Sequence, residues 1–282
     1  MPSATAPNTT STGPPVPGGA AGAAGAAGEP IISGFIAFGD FGGGIAQAAV
    51  ARQMTAWAAT HRVDALVTVG DNVYTRGEPS LFAAELDAPY AALRATRPLW
   101  VTLGNHDILS GNRGADQLRH LGLPPLPYAE TLPGVQFLFT DANHPDAAQA
   151  AWLEQRLAEP GPRFRVVLFH QPAWSCGLHG STAAVDREWV PVIERHQVAL
   201  VLNGHDHDYE RFISTAGVTY IVTGGGGQPT YPFWRGCTST GAREVTGEQV
   251  HHFTAVEVRA HSFTIAAVAD DGRVIDRAVI SR

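Results

Sequence analysis

Lysine is absent from this 282-residue chain, so arginine supplies all 19 of its basic side chains. Acidic residues number 26, the formal net charge is −7, and no run of basic residues occurs. A nucleic-acid-binding surface is therefore not expected, because such surfaces concentrate positive charge. Long apolar runs are missing too, which argues against a membrane-spanning helix.

Cysteine is almost missing as well, with Cys176 and Cys237 as the two examples. Neither has another cysteine or a histidine at zinc-finger spacing, which argues against a structural zinc site. Two unrelated free thiols are one interpretation. A single disulfide in an oxidising compartment is the other.

The first 29 residues contain one large apolar side chain after Met1, which is Val16. Their Gly, Ala, Pro, Ser and Thr content predicts a disordered tail over 1–29, because such a segment cannot bury enough surface to offset its ordering entropy. This tail lacks the charged start and the apolar core of a signal peptide. Tails of this kind often follow a secretion signal or a lipid anchor, so an extracytoplasmic location is the expectation.

Short apolar runs alternate with helical patterns over the first two thirds of the remaining chain. Strands are predicted at 34–38, 65–69, 98–103, 135–140, 164–169 and 198–203. Helices are predicted at 45–61, 79–95, 146–158 and near 184–196, with Ser80 as a possible cap of the second. Segments 211–225 and 251–280 instead alternate apolar and polar residues, with a hairpin turn at Asp271-Gly272. These patterns predict one α/β domain with two sheets over 30–282.

Side chains that can bind metals follow five of the predicted strands. They are Asp40 in "IAFGDFG", Asp71 in "VTVGDNVY", Asn105, His106 and Asp107 in "VTLGNHD", His170 in "VVLFHQP", and His205 and His207 in "LNGHDHDYER". Each motif alone has an ordinary alternative as a turn, a helix cap or a hydrogen-bonded histidine. In an open α/β sheet, however, the carboxyl ends of the strands share one edge, where ligands bind. Five such strand ends in series therefore predict a single site.

The donor types indicate the kind of metal. Carboxylate and amide oxygens together with imidazoles suit Fe, Mn or Zn better than Ca or a thiolate site. The donors are too many for one ion. One carboxylate could bridge two ions about 3.5–4 Å apart, as in phosphatases and nucleases.

The motif series "GDFG", "GDNVY", "GNHD", "VLFH" and "GHDH" resembles that of the calcineurin-like metallophosphoesterases. Within that superfamily the chain is similar to the small, single-domain purple acid phosphatases. Tyr74 stands where they carry an iron-binding tyrosinate, and "GHDHDYER" is close to their last motif. The resemblance implies a four-layer α/β/β/α sandwich of two mixed sheets flanked by helices, with the metal site at the carboxyl ends of the strands. It also implies that 30–282 is the catalytic domain.

Two metal ions follow from the resemblance, Fe(III) and a divalent Fe, Zn or Mn ion. The ligands of the first ion would be Asp40, Asp71, Tyr74 and His207. Those of the second ion would be Asp71, Asn105, His170 and His205. Asp71 would thus bridge the pair. The alternative for Tyr74 is a packing role in its own loop.

The resemblance also implies hydrolysis of phosphate esters by in-line attack of a metal-bound hydroxide. His106 would face the substrate and, as an imidazolium, protonate the leaving alkoxide. Asp107 would orient His106. His179 stands in a loop where relatives often contact phosphate, and a solvent-exposed rim histidine is its alternative role.

Two further loops are expected to border the site. Trp174 would wall the pocket on one side. The opposite wall would carry the aromatic residues Tyr231, Phe233 and Trp234, unless these only cover the sheet edge. Because Cys176 and Cys237 lie in these two loops, we predict a disulfide between them.

The expected function is therefore that of an acid phosphatase, a phosphomonoesterase that acts on small phosphate esters. A phosphodiesterase or nucleotidase with two divalent ions at the same site is the main alternative. A non-catalytic phosphate-binding module is a more remote one.

Overall fold

A computed structural model of the chain describes residues 28–232, 234, 237 and 241–282. Most of the predicted disordered tail, residues 1–27, lies outside the described residues, and so does Phe233. The strands, numbered along the chain, are β1 (Ser33–Phe38), β2 (Ala65–Thr68), β3 (Leu99–Val101), β4 (Tyr128–Leu132), β5 (Val135–Phe139), β6 (Phe164–Leu168), β7 (Leu200–Asn203), β8 (Tyr209–Ser214), β9 (Thr219–Thr223), β10 (Ala242–Glu248), β11 (His252–Val258), β12 (Ser262–Ala269) and β13 (Val274–Ser281).

Strand β1 contributes side chains to the hydrophobic cores on both faces of its sheet. All six of its residues are buried, but successive side chains point to opposite faces. Phe35 packs into a core between two sheets, where its ring centroid lies 4.8 Å from that of Phe137 in β5. Phe38 packs on the other face with Val50 and Met54. A strand covered on both faces is mostly apolar, as Phe35, Ile36, Ala37 and Phe38 of β1 are.

The two sheets are both mixed. The first has the order β13-β12-β11-β1-β2-β3, and β1, β2 and β3 run parallel. The second has the order β10-β8-β9-β7-β6-β5-β4, in which β5, β6, β7 and β9 run parallel. The carboxyl ends of the parallel strands lead into the loops that carry the predicted site.

Helices cover the outer face of each sheet. They are α1 (Gln47–Ala58), α2 (Ala91–Arg94), α3 (Ala115–His120), α4 (Ala147–Ala158), α5 (Ala183–Glu188) and α6 (Val190–Arg195). Helix α1 packs on the first sheet, whereas Leu153 of α4 and Ile193 of α6 pack with Val167 of the second. The predicted four-layer α/β/β/α sandwich is thereby confirmed. No helix of the described residues is long and apolar enough to cross a membrane.

Several local predictions need correction. The helix expected over 79–95 consists of a 3₁₀ turn (Pro79–Leu81), a π-helical turn (Phe82–Asp87), a second 3₁₀ turn (Ala88–Tyr90) and α2. Pro89 contributes to this irregularity because it has no N–H to donate. Ser80 lies inside the first turn rather than at its cap. The helix predicted near 184–196 is divided into α5 and α6 at Trp189.

Candidate metal centre

The predicted donors lie on tight turns directly after the parallel strands. Asp40 follows β1 and Asp71 follows β2, and their φ angles are 56° and 51°. His205 follows β7 with a φ of 74°. Residues other than glycine rarely adopt this left-handed backbone conformation. Those that do adopt it cluster at functional sites.

Two buried carboxylates form the middle of the site. Asp40 and Asp71 are 0% and 2% exposed, although no arginine of the described residues forms an ion pair with either carboxylate. His170 lies between them, with Nε2 3.9 Å from Asp40 Oδ1 and 3.4 Å from Asp71 Oδ2. One donor atom from each of these three residues lies within 4.8 Å of the others. This spacing suits a shared cation.

Glycine residues allow the backbone to approach these carboxylates. A Cβ atom added to Gly104 would lie 2.0 Å from Asp71 Oδ1, and one added to Gly204 would lie 2.3 Å from Asp40 Oδ2. Both distances are far below van der Waals contact. The glycines that precede Asn105 and His205 in the sequence motifs are therefore required by packing.

Tyr74 and His207 lie together beside the two carboxylates. The Tyr74 hydroxyl donates a hydrogen bond of 2.8 Å to Asp71 Oδ2 and lies 3.4 Å from His207 Nε2. His207 Nε2 is also 3.5 Å from Asp40 Oδ1. The four donors predicted for the first ion are thus brought together.

Asn105 and His205 lie with His170. Asn105 Oδ1 is 3.1 Å from His170 Nε2. The ring of His205 lies 5.0 Å from that of His170, centroid to centroid, and the His205 backbone N–H donates to the Asp40 carboxylate at 3.1 Å. The donors predicted for the second ion therefore also converge.

Backbone carbonyl groups orient two of the imidazoles. His170 Nδ1 lies 2.9 Å from the Val69 carbonyl oxygen, and His207 Nδ1 lies 2.8 Å from that of Pro229. In both residues Nε2 is left to face the carboxylates. Such outer contacts are typical of metal-binding histidines, because they fix the ring and its tautomer.

The electrostatics of the site also fit cation binding. Burial lowers the pKa of His205 to about 3 and that of His207 to about 4, so both imidazoles are neutral at physiological pH and can donate an electron pair. Burial raises the pKa of Asp40 well above its usual range. Although burial opposes charge on His170, Asp71 and Asp40 raise its pKa to about 10. In the metal-free centre the proton on His170 compensates part of the charge of the buried carboxylates, and a bound metal ion would displace that proton and take over its role.

His106 lies at the edge of the centre, with its side chain 30% exposed. Its ring packs on Tyr74 at a centroid distance of 4.2 Å. Nδ1 is 2.7 Å from the Thr75 carbonyl oxygen, and Nε2 is 4.0 Å from Asp71 Oδ2. Nε2 is therefore the ring nitrogen that faces the centre.

Asp107 was predicted to orient His106, but its hydrogen bonds within the described residues go to other groups. Asp107 is fully buried and accepts hydrogen bonds from the backbone N–H groups of Asn72, Val73 and Gly104. It therefore joins the turn after β2 to the turn after β3. The His106 ring is oriented instead by the Thr75 carbonyl group.

A second set of rings surrounds the opening. His179 is exposed and stacks on His205 at 4.3 Å between centroids. Tyr231 is half-buried, stacks on His207 at 4.2 Å, and lies 5.5 Å from His179. Trp174 does not wall the pocket as predicted, because it is buried in the core.

The two loops beside His179 and Tyr231 are joined. Cys176 and Cys237 form a disulfide, with 5.5 Å between their Cα atoms, which confirms the predicted pairing. The Trp234 backbone N–H also donates to the Cys176 carbonyl oxygen at 2.9 Å. The rim on this side is therefore a single covalently linked unit.

Two acids that were not predicted as site residues, Asp206 and Glu210, also support this side of the site. Asp206 accepts hydrogen bonds from the His179 backbone N–H at 2.7 Å and from the Ser175 hydroxyl at 2.6 Å. Glu210 accepts from the Cys176 N–H at 2.8 Å, and its Oε1 also lies 2.6 Å from the Ser175 hydroxyl oxygen. These buried acids hold the loop that carries His179. Both acids belong to the "GHDHDYER" motif, and this position was the sequence feature that could have identified them.

Comparisons with known proteins agree with this geometry. The sequence profile of the calcineurin-like phosphoesterases matches residues 34–209. Purple acid phosphatase 3 of Arabidopsis thaliana is 27% identical over 237 residues, which cover 72% of this chain and 64% of that relative, less than two thirds of its length. Tartrate-resistant acid phosphatase type 5 of Mus musculus is 26% identical over 296 residues, which cover 88% of this chain and 90% of the relative.

A solved structure is similar over most of the fold. The purple acid phosphatase PPD1 from yellow lupin seeds superposes with a TM-score of 0.75 at 16% identity, over 89% of this chain and 54% of the lupin chain. The profile match covers more than half of the chain and includes all five strand ends that supply the clustered donors. The chain therefore belongs to the calcineurin-like phosphoesterase family.

Proposed function

We propose that this protein is an acid phosphatase that hydrolyses phosphomonoesters at a binuclear metal centre. The observation that carries the proposal is the position of Tyr74, whose hydroxyl is 2.8 Å from Asp71 Oδ2 and 3.4 Å from His207 Nε2. A phenol inside a carboxylate and imidazole cluster suits a hard trivalent ion. The names of the two curated relatives support the same activity.

The residues would divide between two ions. Asp40, Tyr74 and His207 would hold Fe(III), and Asn105, His170 and His205 would hold a divalent Fe, Zn or Mn ion. Asp71 would bridge them, since its Oδ2 faces both Tyr74 and His170. When bound, the two ions would supply Lewis acidity toward the phosphate and lower the pKa of the attacking water.

Three side chains at the opening would bind the substrate or donate a proton to it. His106, His179 and Tyr231 can each direct a donor toward a phosphate ester. Because Nδ1 of His106 contacts the Thr75 carbonyl group, Nε2 is the atom that would carry the proton to the leaving alkoxide. His179 and Tyr231 would bind the phosphate from the opposite side, next to His205 and His207.

The disulfide between Cys176 and Cys237 supports an extracytoplasmic location, because disulfides persist in oxidising compartments. We propose that location together with the division of the chain into a tail over 1–29 and a catalytic domain over 30–282.

The test combines metal analysis of native protein with hydrolysis assays across pH. We expect two metal ions per chain, at least one of them iron, a purple or pink colour, and faster hydrolysis of phenyl phosphate than of bis-phenyl phosphate. A colourless protein with two divalent ions and a preference for diesters would favour a phosphodiesterase. Metal-loaded protein that binds phosphate but hydrolyses neither ester would identify a non-catalytic binding module.

A further inference from the structure

Large apolar side chains are exposed on the loops around the candidate metal centre. Leu178 is 53% exposed and Trp234 is 57% exposed. Tyr231, three residues before Trp234, is half-buried. Isolated exposed apolar residues are ordinary, but apolar surface gathered beside a polar opening is typical of ligand-binding sites.

The connections between the two loops place these side chains next to the substrate opening. Leu178 directly precedes His179, whose ring is 5.5 Å from that of Tyr231. Trp234 is held to the His179 loop by its hydrogen bond of 2.9 Å to the Cys176 carbonyl oxygen. Leu178 and Trp234 therefore lie on the disulfide-linked loops, beside the rings of His179 and Tyr231.

We propose that Leu178, Tyr231 and Trp234 form a subsite for the alcohol portion of the substrate. The preferred ligands would be phosphomonoesters of aromatic or alkyl alcohols rather than of polyols. The proposal rests on the proposed function, since it assumes that the phosphate group binds at the metal centre. With the phosphate held there, an apolar alcohol would cover the exposed leucine and tryptophan, whereas glycerol would leave them in water.

The rest of the surface offers a matched control. The other exposed large apolar side chains of the described residues are Ile45 and Leu109, which lie in loops, and Val279, which is 43% exposed on a strand. It lies on β13, an edge strand of the first sheet, and not on a loop that follows the parallel strands. Its substitution alters exposed apolar area without touching the proposed subsite.

Two phosphonate ligands measure binding without catalysis, because their C–P bond is not a phosphate ester. Benzylphosphonate and 4-butylbenzylphosphonate share one head group and differ only by a butyl chain. We expect the metal-loaded full chain to bind the butyl compound about tenfold more tightly in a calorimetric titration. Each buried methylene contributes about fourfold, so this gain corresponds to burying fewer than two of the four butyl carbons on the open rim. Leu178→Ser and Trp234→Ser should each bring the ratio of the two Kd values toward one, and Val279→Ser should keep it.

Equal Kd values in the wild-type protein would overturn the proposal, as would an unchanged ratio in both loop variants. Parallel hydrolysis of phenyl and 4-butylphenyl phosphate distinguishes this failure from failure of the proposed function. Preference for the butyl phosphonate without turnover of either ester would support the subsite and reject the phosphatase. Equal turnover of both esters with equal phosphonate affinities would reject only the subsite.

Discussion

The hydroxyl of Tyr74 donates a 2.8 Å hydrogen bond to Asp71, three residues earlier in the chain. Burial, together with the charges of Asp40 and Asp71, raises the pKa of this phenol far above its usual range. Only a strongly charged cation at this position would ionise it. Tyr74 therefore provides a direct test of which metal the site selects.

Tyr74→Phe is expected to abolish the visible absorption of the iron-loaded protein, because charge transfer to Fe(III) requires the phenolate oxygen. Fe(III) content should also fall, since one of its four proposed protein ligands is lost. Absorption spectra and metal analysis of parallel preparations measure both changes. Tyr231→Phe is the control that should keep the colour, and a coloured Tyr74→Phe protein would contradict the ligand assignment.

His106→Ala should slow the hydrolysis of esters with poor leaving groups. If Nε2 supplies the proton to the alkoxide, kcat for an alkyl phosphate should fall by about 10²–10³. Hydrolysis of 4-nitrophenyl phosphate should change much less, because nitrophenolate leaves without protonation. Steady-state kinetics on both esters, with metal content measured alongside, test this role. An equal loss on both esters with full metal content would show that His106 is not the acid.

The positions of the predicted donors follow from local sequence. A strand end is marked by the change from an apolar run to a glycine and a polar side chain, as at Asp40 and Asp71. Parallel strands then bring these ends to one edge, whatever the exact register. The site residues converge for this reason, and the positions of most strands along the chain were predictable too.

Other features depend on contacts distant in sequence. Asp107 and His106 are adjacent, and nothing in "GNHD" indicates that only His106 faces the centre. The direction of Asp107 is set by Gln117 of α3, which donates to it at 2.9 Å, and by the turn after β2. Strands β4 and β10 were missed because they are half-exposed edge strands without a clear apolar pattern.

The stability of the fold should depend on pH through His252, a buried residue of β11. Its ring contacts the Thr223 hydroxyl at 3.1 Å and the Val250 carbonyl oxygen at 3.0 Å, and burial lowers its pKa to about 4. Between about pH 4 and 6.5 the unfolded chain binds a proton that the folded chain does not. The free energy of unfolding should therefore fall as the pH drops through this window, by up to about 1.4 kcal/mol per pH unit.

Urea denaturation of the metal-free protein at several pH values measures this dependence. Because His205 and His207 titrate in the same direction, the informative quantity is the difference between the wild type and His252→Gln. The variant should be less stable at pH 7, and the difference should shrink toward pH 4.5. Parallel curves for the two proteins would exclude His252 as the source.

Gly104→Ala should damage the metal centre while leaving the fold intact. The added Cβ would lie 2.0 Å from Asp71 Oδ1 and 2.4 Å from the Asp71 backbone nitrogen, so Asp71 must move. Because Asp71 would bridge both ions, we expect metal content below two per chain and a loss of activity of about 100-fold or more, the scale of a 1 Å misplacement. Gly111→Ala is the matched control, since nothing lies within 4 Å of its added Cβ. Two bound metals with wild-type turnover in Gly104→Ala would mean that Asp71 does not hold the pair together.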